Sequence, residues 1–371
     1  MEKIYLSSPH MGGYEMDYVN EAFETNWIAP LGKNVNMFEE EMASYIGVNG
    51  GAALSAGTAA IHLAIKAAGV KKGDVVFCSS LTFSASANPI TYEGAIPVFI
   101  DSSYTDWNMD PEALKLAFKK YPDCKAVVVV DLYGQSARYD EIISICKEHN
   151  AVVIEDSAEA LGSTYKGKKC GSIADYGILS FNGNKIITTS GGGMLMSNDL
   201  NKLSKVRFWA TQSRENERHY QHNEIGYNYR MSNICAGIGR GQLKVLDKRV
   251  AKKREIYNTY KSAFSDIEYI SMAPETDDCV SNHWLSCIIL SEDSPVKPID
   301  IIVALEKENI ESRPIWKPMH AQPVFKDCDF FTAYDTPASE DIFARGVCLP
   351  SDTKMTAEEQ QKVIEVIKSL F

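Results

Sequence analysis

No stretch of these 371 residues approaches the roughly 18 consecutive apolar positions that a membrane-crossing helix needs, so no membrane partner is expected. The opening residues, MEKIYLSSPHMGG, lack the apolar core of an export signal, which makes a cytoplasmic location the expectation. No CxxC pair occurs. The nine cysteines are scattered singly and are odd in number, which suits reduced thiols and not a disulfide framework. Positive charge is in deficit: the formal net charge is −11, against nucleic acid as a main partner. An anionic small ligand would therefore need cations gathered locally. Internal repeats and low-complexity tracts are missing too.

What is present is ordinary globular material, 45% apolar and 23% charged, in a chain long enough for two domains. Up to about residue 200, short β-branched runs alternate with helical patterns: DVVFC (74–78), PVFID (97–101), AVVVVDLYG (126–134) and AVVIEDSAEALGS (151–163). Runs that are apolar throughout predict a mainly parallel sheet covered on both faces, an α/β fold. YGILSF and GGGMLMS add two more expected strands. From about 232 the pattern predicts one long helix, with Leu243, Leu246, Val250, Tyr257, Tyr260 and Phe264 on its apolar stripe. Lys248, Arg249, Lys252, Lys253 and Arg254 read as its solvated face. A boundary near 245 would separate a large domain, 1–245, from a smaller C-terminal α/β domain, 246–371.

Three short stretches carry chemistry. In SAGTAAIHLAIKAAGV (55–70), Gly57 and Thr58 open an alanine-rich helix, where free amides and a hydroxyl suit a phosphate. A plain helix cap would read the same way. In VVIEDSAEALGS, Asp156 falls where an apolar strand reaches the ligand edge of an open α/β sheet. A carboxylate buried there needs a cation or several donors, although Glu155 or Asp156 could also serve as a cap. In SFNGNKIITTSGGGML (180–195), Lys185 stands among Ser180, Asn182, Thr188 and Thr189, groups able to meet anionic oxygens. Partial burial favours a neutral amine, which can attack an aldehyde. The bland alternative is a lysine in a wet loop.

A phosphate cradle, an acid for a pyridine nitrogen and an amine for an aldehyde are together what pyridoxal 5′-phosphate requires. Their order resembles that of fold-type I enzymes using this cofactor. The likeness extends through NWIAPLG (26–32), SSLTFSASANPI (79–90), GYNYRMSN (226–233), ESRPIWKPMH (311–320) and GVCLPS (346–351). On these stretches the chain resembles the DegT/DnrJ/EryC1/StrS sugar aminotransferases almost end to end. Within them it is most similar to the subgroup that aminates C4 of UDP-linked 4-keto-6-deoxy-N-acetylhexosamines, which includes enzymes of bacillosamine-type and exopolysaccharide synthesis.

The resemblance implies roles residue by residue. Lys185 would bond the cofactor and move the proton; Asp156 would keep the pyridine nitrogen protonated. Gly57, Thr58 and Ser180 would hold the phosphate, with Asn228 reaching in from a second subunit, so the expected state is a homodimer with shared sites. Phe83 would stack on the ring, and Asn182 would lie beside it. Many relatives carry glutamine or histidine where this chain has Glu159, an added negative charge that demands protonation or a partner. Asn26, Ile28 and Ala29 would meet the uracil, so that residues 1–32 contribute to the substrate site. Arg230, Arg313, Trp316, Lys317 and His320 would meet the rest of the sugar nucleotide, their charges facing a diphosphate.

L-glutamate would give up its amino group, leave as 2-oxoglutarate and convert the cofactor to pyridoxamine 5′-phosphate, which then serves the keto sugar. Two rivals share the pocket. A dehydratase of the same fold carries histidine at the position of Lys185. A non-catalytic regulator would be marked by an appended DNA-binding domain or a lost lysine. A dinucleotide oxidoreductase would need G-x-G-x-x-G between an early strand and its helix, whereas SGGGML follows the lysine. His219 and His222 have a helical spacing but no acidic or cysteine partner, so no metal is expected. The resemblance implies that their segment, 214–222, lies near the active-site entrance.

Overall fold

The run Ala126–Val130 shows how the sequence builds the sheet. All five residues are buried, and the first four divide between two cores. Val127 and Val129 pack against the helices Pro111–Lys120 and Tyr139–Glu148, while Ala126 and Val128 join the core that includes Ile61, Leu63 and Ile65 on the other face. Side chains alternate along a strand, so a strand covered on both sides must be apolar throughout. Each such valine contributes about 1.5–3 kcal/mol by leaving water.

The computed structural model describes residues 2–371. Helices α1 (Glu15–Glu24) and α2 (Lys33–Ile46) precede strand β1 (Gly50–Leu54) and helix α3 (Gly57–Ala67). Strands β2 (Val75–Ser79), β3 (Ile96–Ile100), β4 (Ala126–Val130) and β5 (Val152–Asp156) follow. The eight-stranded sheet runs β1, Gly193–Ser197, Tyr176–Ser180, β5, β4, β2, β3, Phe330–Phe331. Only Gly193–Ser197 is antiparallel to its neighbours. This mainly parallel sheet between helices is the expected α/β fold. A second, antiparallel sheet comes from the C-terminal part of the chain, in the order Ile270–Met272, Ser286–Leu290, Gly346–Leu349, Arg313–Pro314.

The long helix expected from 232 is two helices, Asn233–Leu243 and Leu246–Ala263. Val245 leaves helical geometry, with φ −111° and ψ 3°. The first piece is pressed onto α1 and α2. A Cβ on Gly239 would lie 2.6 Å from the Phe38 ring, and one on Gly241 would lie 2.7 Å from the Glu15 backbone. The basic face of the second piece also needs correcting. Lys248 is exposed and Lys252 and Arg254 are half-buried, but Arg249 and Lys253 are buried. They lie one turn apart and turn inward because the N-terminal segment offers them acceptors: Arg249 donates to the carbonyls of His10 and Met11 at 3.0 and 3.2 Å.

Candidate active site

Helix α3 begins at Gly57 with no side chain capping it, because its N-cap is Ala56. Its first amides therefore open onto a cavity of about 250 Å³ at the carboxyl ends of the parallel strands. A Cβ on Gly57 would come within 3.1 Å of the Ser180 Cβ, so the helix start and that serine form one close cradle. Gly57→Ala is accordingly expected to weaken pyridoxal phosphate binding about tenfold, roughly 1.4 kcal/mol, in an absorbance titration. An unchanged affinity would move the phosphate away from this helix.

Asp156 ends β5 and is buried. Its Oδ2 accepts from the Ser86 hydroxyl at 2.6 Å and its Oδ1 from the Ala158 amide at 3.2 Å. Ser86 in turn pairs with the Thr82 hydroxyl at 2.7 Å. Burial pushes the Asp156 carboxyl above the usual carboxylate range, while the Ser86 bond and the charge of Lys185 act against that rise.

Lys185 lies between the strands Tyr176–Ser180 and Gly193–Ser197, with its amine 3.3 Å from Glu159 Oε1 and 4.2 Å from the centre of the Trp284 ring. The second oxygen of Glu159 accepts from the Tyr133 amide at 2.8 Å. Burial raises the Glu159 carboxyl, and Lys185 opposes the rise first among its neighbours. The extra negative charge in this position is thus paired with the one amine beside it.

Gly57, Thr58, Phe83, Asp156, Glu159, Ser180, Asn182 and Lys185 all line this first cavity. Phe83 is 58% exposed at its mouth, its ring tilted against Trp316 with centroids 5.6 Å apart. An uncapped helix start, a buried carboxylate and a lysine amine in one cleft fit the phosphate, ring nitrogen and aldehyde of pyridoxal phosphate. A second cavity of about 540 Å³ shares Phe83, Asn182 and Lys185 with the first and adds Arg313, Trp316 and Lys317. Arg313 is paired with Glu311 at 2.8 Å.

The other expected substrate residues lie elsewhere in the single chain. Asn26, Ile28 and Ala29 follow α1 outside both cavities, and the Ala29 carbonyl accepts from the Asn233 amide at 2.9 Å. Arg230 donates to Glu39 at 2.8 Å and to the Ala53 carbonyl at 3.0 Å. Asn228 pairs with Thr211. His320 lies between Ser80, 2.6 Å from its Nδ1, and Glu340, 2.9 Å from its Nε2, with its ring stacked on Phe330. His219 and His222 bond separately, to Gln221 and to the Gln212 carbonyl, and His10 contacts Thr353 and Arg249. Ser86, Trp284 and Tyr133 also belong to the site, although the sequence alone does not assign them to it. Ser86 lies inside SSLTFSASANPI, a stretch singled out for other residues, whereas nothing near Trp284 points to Lys185.

A family profile, that of the DegT/DnrJ/EryC1/StrS aminotransferases, matches residues 9–368. The chain is 54% identical to EpsN of Bacillus subtilis, a putative pyridoxal phosphate-dependent aminotransferase, covering 100% of this chain and 96% of the relative. It is 37% identical to the GDP-perosamine synthase of Caulobacter vibrioides, over 100% and 99% of the two chains. It is 36% identical to the UDP-4-amino-4,6-dideoxy-N-acetyl-beta-L-altrosamine transaminase of Campylobacter jejuni, over 87% and 86%. The putative sugar aminotransferase Spr1654 of Streptococcus pneumoniae, solved in PLP and PMP forms, superposes with a TM-score of 0.91 at 26% identity, over 100% of this chain and 98% of that one. The chain belongs to the DegT/DnrJ/EryC1/StrS aminotransferase family.

Proposed function

We propose that this aminotransferase moves the amino group of L-glutamate to C4 of a UDP-linked 4-keto-6-deoxy-N-acetylhexosamine, in the cytoplasm, for bacterial glycan or exopolysaccharide synthesis. The observation that carries the reading is the place of Lys185. It stands on the wall common to an anion cradle with a buried acid and a larger cavity edged by Arg313 and Lys317. Pyridoxal phosphate, the family's cofactor, supplies when bound an aldehyde that takes up amino groups and a ring that draws electrons from the reacting carbon.

The chain's own residues do the rest. The first amides of α3, Thr58 and Ser180 would hold the phosphate, and Asp156 would meet the ring nitrogen. Lys185 takes a proton from the donor's α-carbon and, in the second half, delivers one to C4 of the sugar. Glu159 and the face of Trp284 keep that amine in place between the halves. Arg313 and Lys317 meet the diphosphate, Arg313 exchanging Glu311 for the phosphate. One cavity serving both substrates in turn implies ping-pong kinetics.

The same reading makes the working unit a homodimer, in which Asn228, and with it Asn26, Ile28, Ala29 and Arg230, would complete the partner's site. It also divides the chain near 245, with 246–371 closing the second cavity. No helix among the described residues is long and apolar enough to cross a membrane.

A GDP-linked 4-keto sugar is the second reading, favoured by the GDP-perosamine synthase likeness. Purified protein given glutamate and a panel of UDP- and GDP-linked 4-keto sugars should release 2-oxoglutarate at least about tenfold more efficiently with the UDP sugar. Preference for the GDP sugar would replace the base. Absence of amino transfer with every donor and sugar would overturn the reading.

A further inference from the structure

The N-terminal segment lies as a strap against the C-terminal part of the chain, and it is tied down along its length. Leu6 donates to Glu311 at 3.2 Å and accepts from the Ser351 amide at 2.8 Å. The Ser8 amide donates to Asp352 at 2.9 Å, Lys354 reaches the Pro9 carbonyl at 3.1 Å, and Gln242 and Arg249 both reach the His10 carbonyl at 3.0 Å. Leu6 and Ser7 also line the second cavity. Of these ties one leads onward. The amine of Lys253 donates to the Ser7 hydroxyl at 3.2 Å, and that hydroxyl donates to the carbonyl of Asn184, the residue before Lys185, at 3.0 Å.

The same amine donates to the Trp284 carbonyl at 2.8 Å. The Trp284 indole N–H then donates to the same Asn184 carbonyl at 2.8 Å. Two paths from one buried amine therefore converge on one oxygen. The indole whose face backs Lys185 is held at both ends, its main chain by Lys253 and its ring by Asn184. Two donors on one carbonyl fix the peptide from which Lys185 departs, and the backbone after it is closed by the Lys185 amide bonding Asn182 at 3.0 Å.

We propose that Lys253 is a positioning residue for the reacting amine: through Ser7 and Trp284 it sets the place of Lys185 without lining either cavity. The inference rests on Lys185 being the amine that reacts. Its position argues for a role beyond packing. A fully buried lysine costs stability, and an apolar residue would fill the same space at no such cost. Burial lowers its pKa to about 7, with Asp352 acting in the opposite direction. A misplacement of about 1 Å at a reacting group can lower rate by about 100-fold, so a remote hold of this kind has a measurable effect.

The test uses Lys253→Met, which keeps length and removes the donors, and Ser7→Ala, which breaks one path while leaving Lys253 in place. Cofactor-free full-length protein is mixed with pyridoxal 5′-phosphate. The amine adds to the aldehyde with loss of one water, borohydride reduces the product to a secondary amine, and the tagged peptide is quantified by mass against time. Lys253→Met should melt no lower than the parent, and capture of the cofactor at Lys185 should be at least about tenfold slower in Lys253→Met and about threefold slower in Ser7→Ala. Ser7→Thr, which retains the hydroxyl, should recover the parent rate. The double variant should be no slower than Lys253→Met, since both lie on one path. Parent capture rates in both single variants would overturn the proposal. So would a change confined to the KM for the nucleotide sugar, which would make the strap a cavity wall only. Capture persisting in Lys185→Ala is a different failure, that of the Lys185 assignment itself.

Discussion

Replacing Lys185 by alanine is expected to lower amino transfer by about 10⁴-fold or more, some 5.5 kcal/mol of activation free energy, and to abolish the absorbance band near the visible edge. The size follows from the site. Within the first cavity the other ionisable side chains are the carboxyls of Asp156 and Glu159, both pushed upward by burial. Neither can bond an aldehyde and pass a proton as an amine does. The loss should be read in single turnovers of 2-oxoglutarate release, and a retained band would place the covalent link on another residue.

The same substitution has a stability signature that separates lost chemistry from lost structure. Removing the amine leaves Glu159, buried, with the Tyr133 amide as its remaining donor. Breaking a buried pair costs about 3–5 kcal/mol unless the survivor neutralises itself. Glu159 can take up a proton, and its carboxyl would then lie still further above the ordinary carboxylate range. A group whose pKa is raised on folding favours the folded state below its ordinary pKa and loses that contribution as pH rises through the raised value. Lys185→Ala should therefore melt lower than the parent chiefly on the alkaline side, and Lys185→Ala/Glu159→Gln should recover the difference. A double variant with no recovery would mean that the amine and the carboxyl are not energetically paired.

What the sequence discloses about this site depends on whether a local pattern carries it. The runs at 74–78, 97–101, 126–130 and 151–156 announce strands because a strand buried on both faces must be apolar at each position. Strand β1, GGAAL, announces nothing: it is made of small residues whose space is taken by Met194 and Met196, a Cβ on Gly51 lying 2.8 Å from the Met194 sulfur. Gly57 and Asp156 stand at a helix start and a strand end that periodicity can locate, and Lys185 in the loop between two strands that it can also locate. The partners that define their chemistry are set by tertiary distance, as with Ser86 on Asp156 and Trp284 behind Lys185. Arg249 and Lys253 show the converse. Counting along a helix puts them on a polar face, and it is the strap running across that face, joined at Lys253 by the Trp284 carbonyl, that turns them into buried donors. The expected helix from 232 fails at Val245 for the same reason, because its two halves pack on different partners.

Asp156→Asn should leave the fold and some cofactor binding intact while lowering turnover by about 100- to 1000-fold. Asparagine keeps the size of the side chain and can still accept the Ser86 hydroxyl through its amide oxygen. What it removes is the negative charge at the end of β5, which is what would hold a proton on a ring nitrogen beside it. That charge is costly to the cofactor-free protein. Burial raises the Asp156 carboxyl against the Ser86 bond and the Lys185 charge, so the group favours the folded state below its ordinary pKa and ceases to do so as pH rises through the raised one. The cofactor-free variant should accordingly melt no lower than the parent at neutral pH, and by a margin that shrinks on acidification. Activity and stability then move in opposite directions, the mark of a group kept for chemistry at the expense of the fold. Near-parent turnover would mean that another residue meets the ring nitrogen. A clear drop in melting temperature would mean that Asp156 holds the end of β5 together, and the kinetic loss would then report structure.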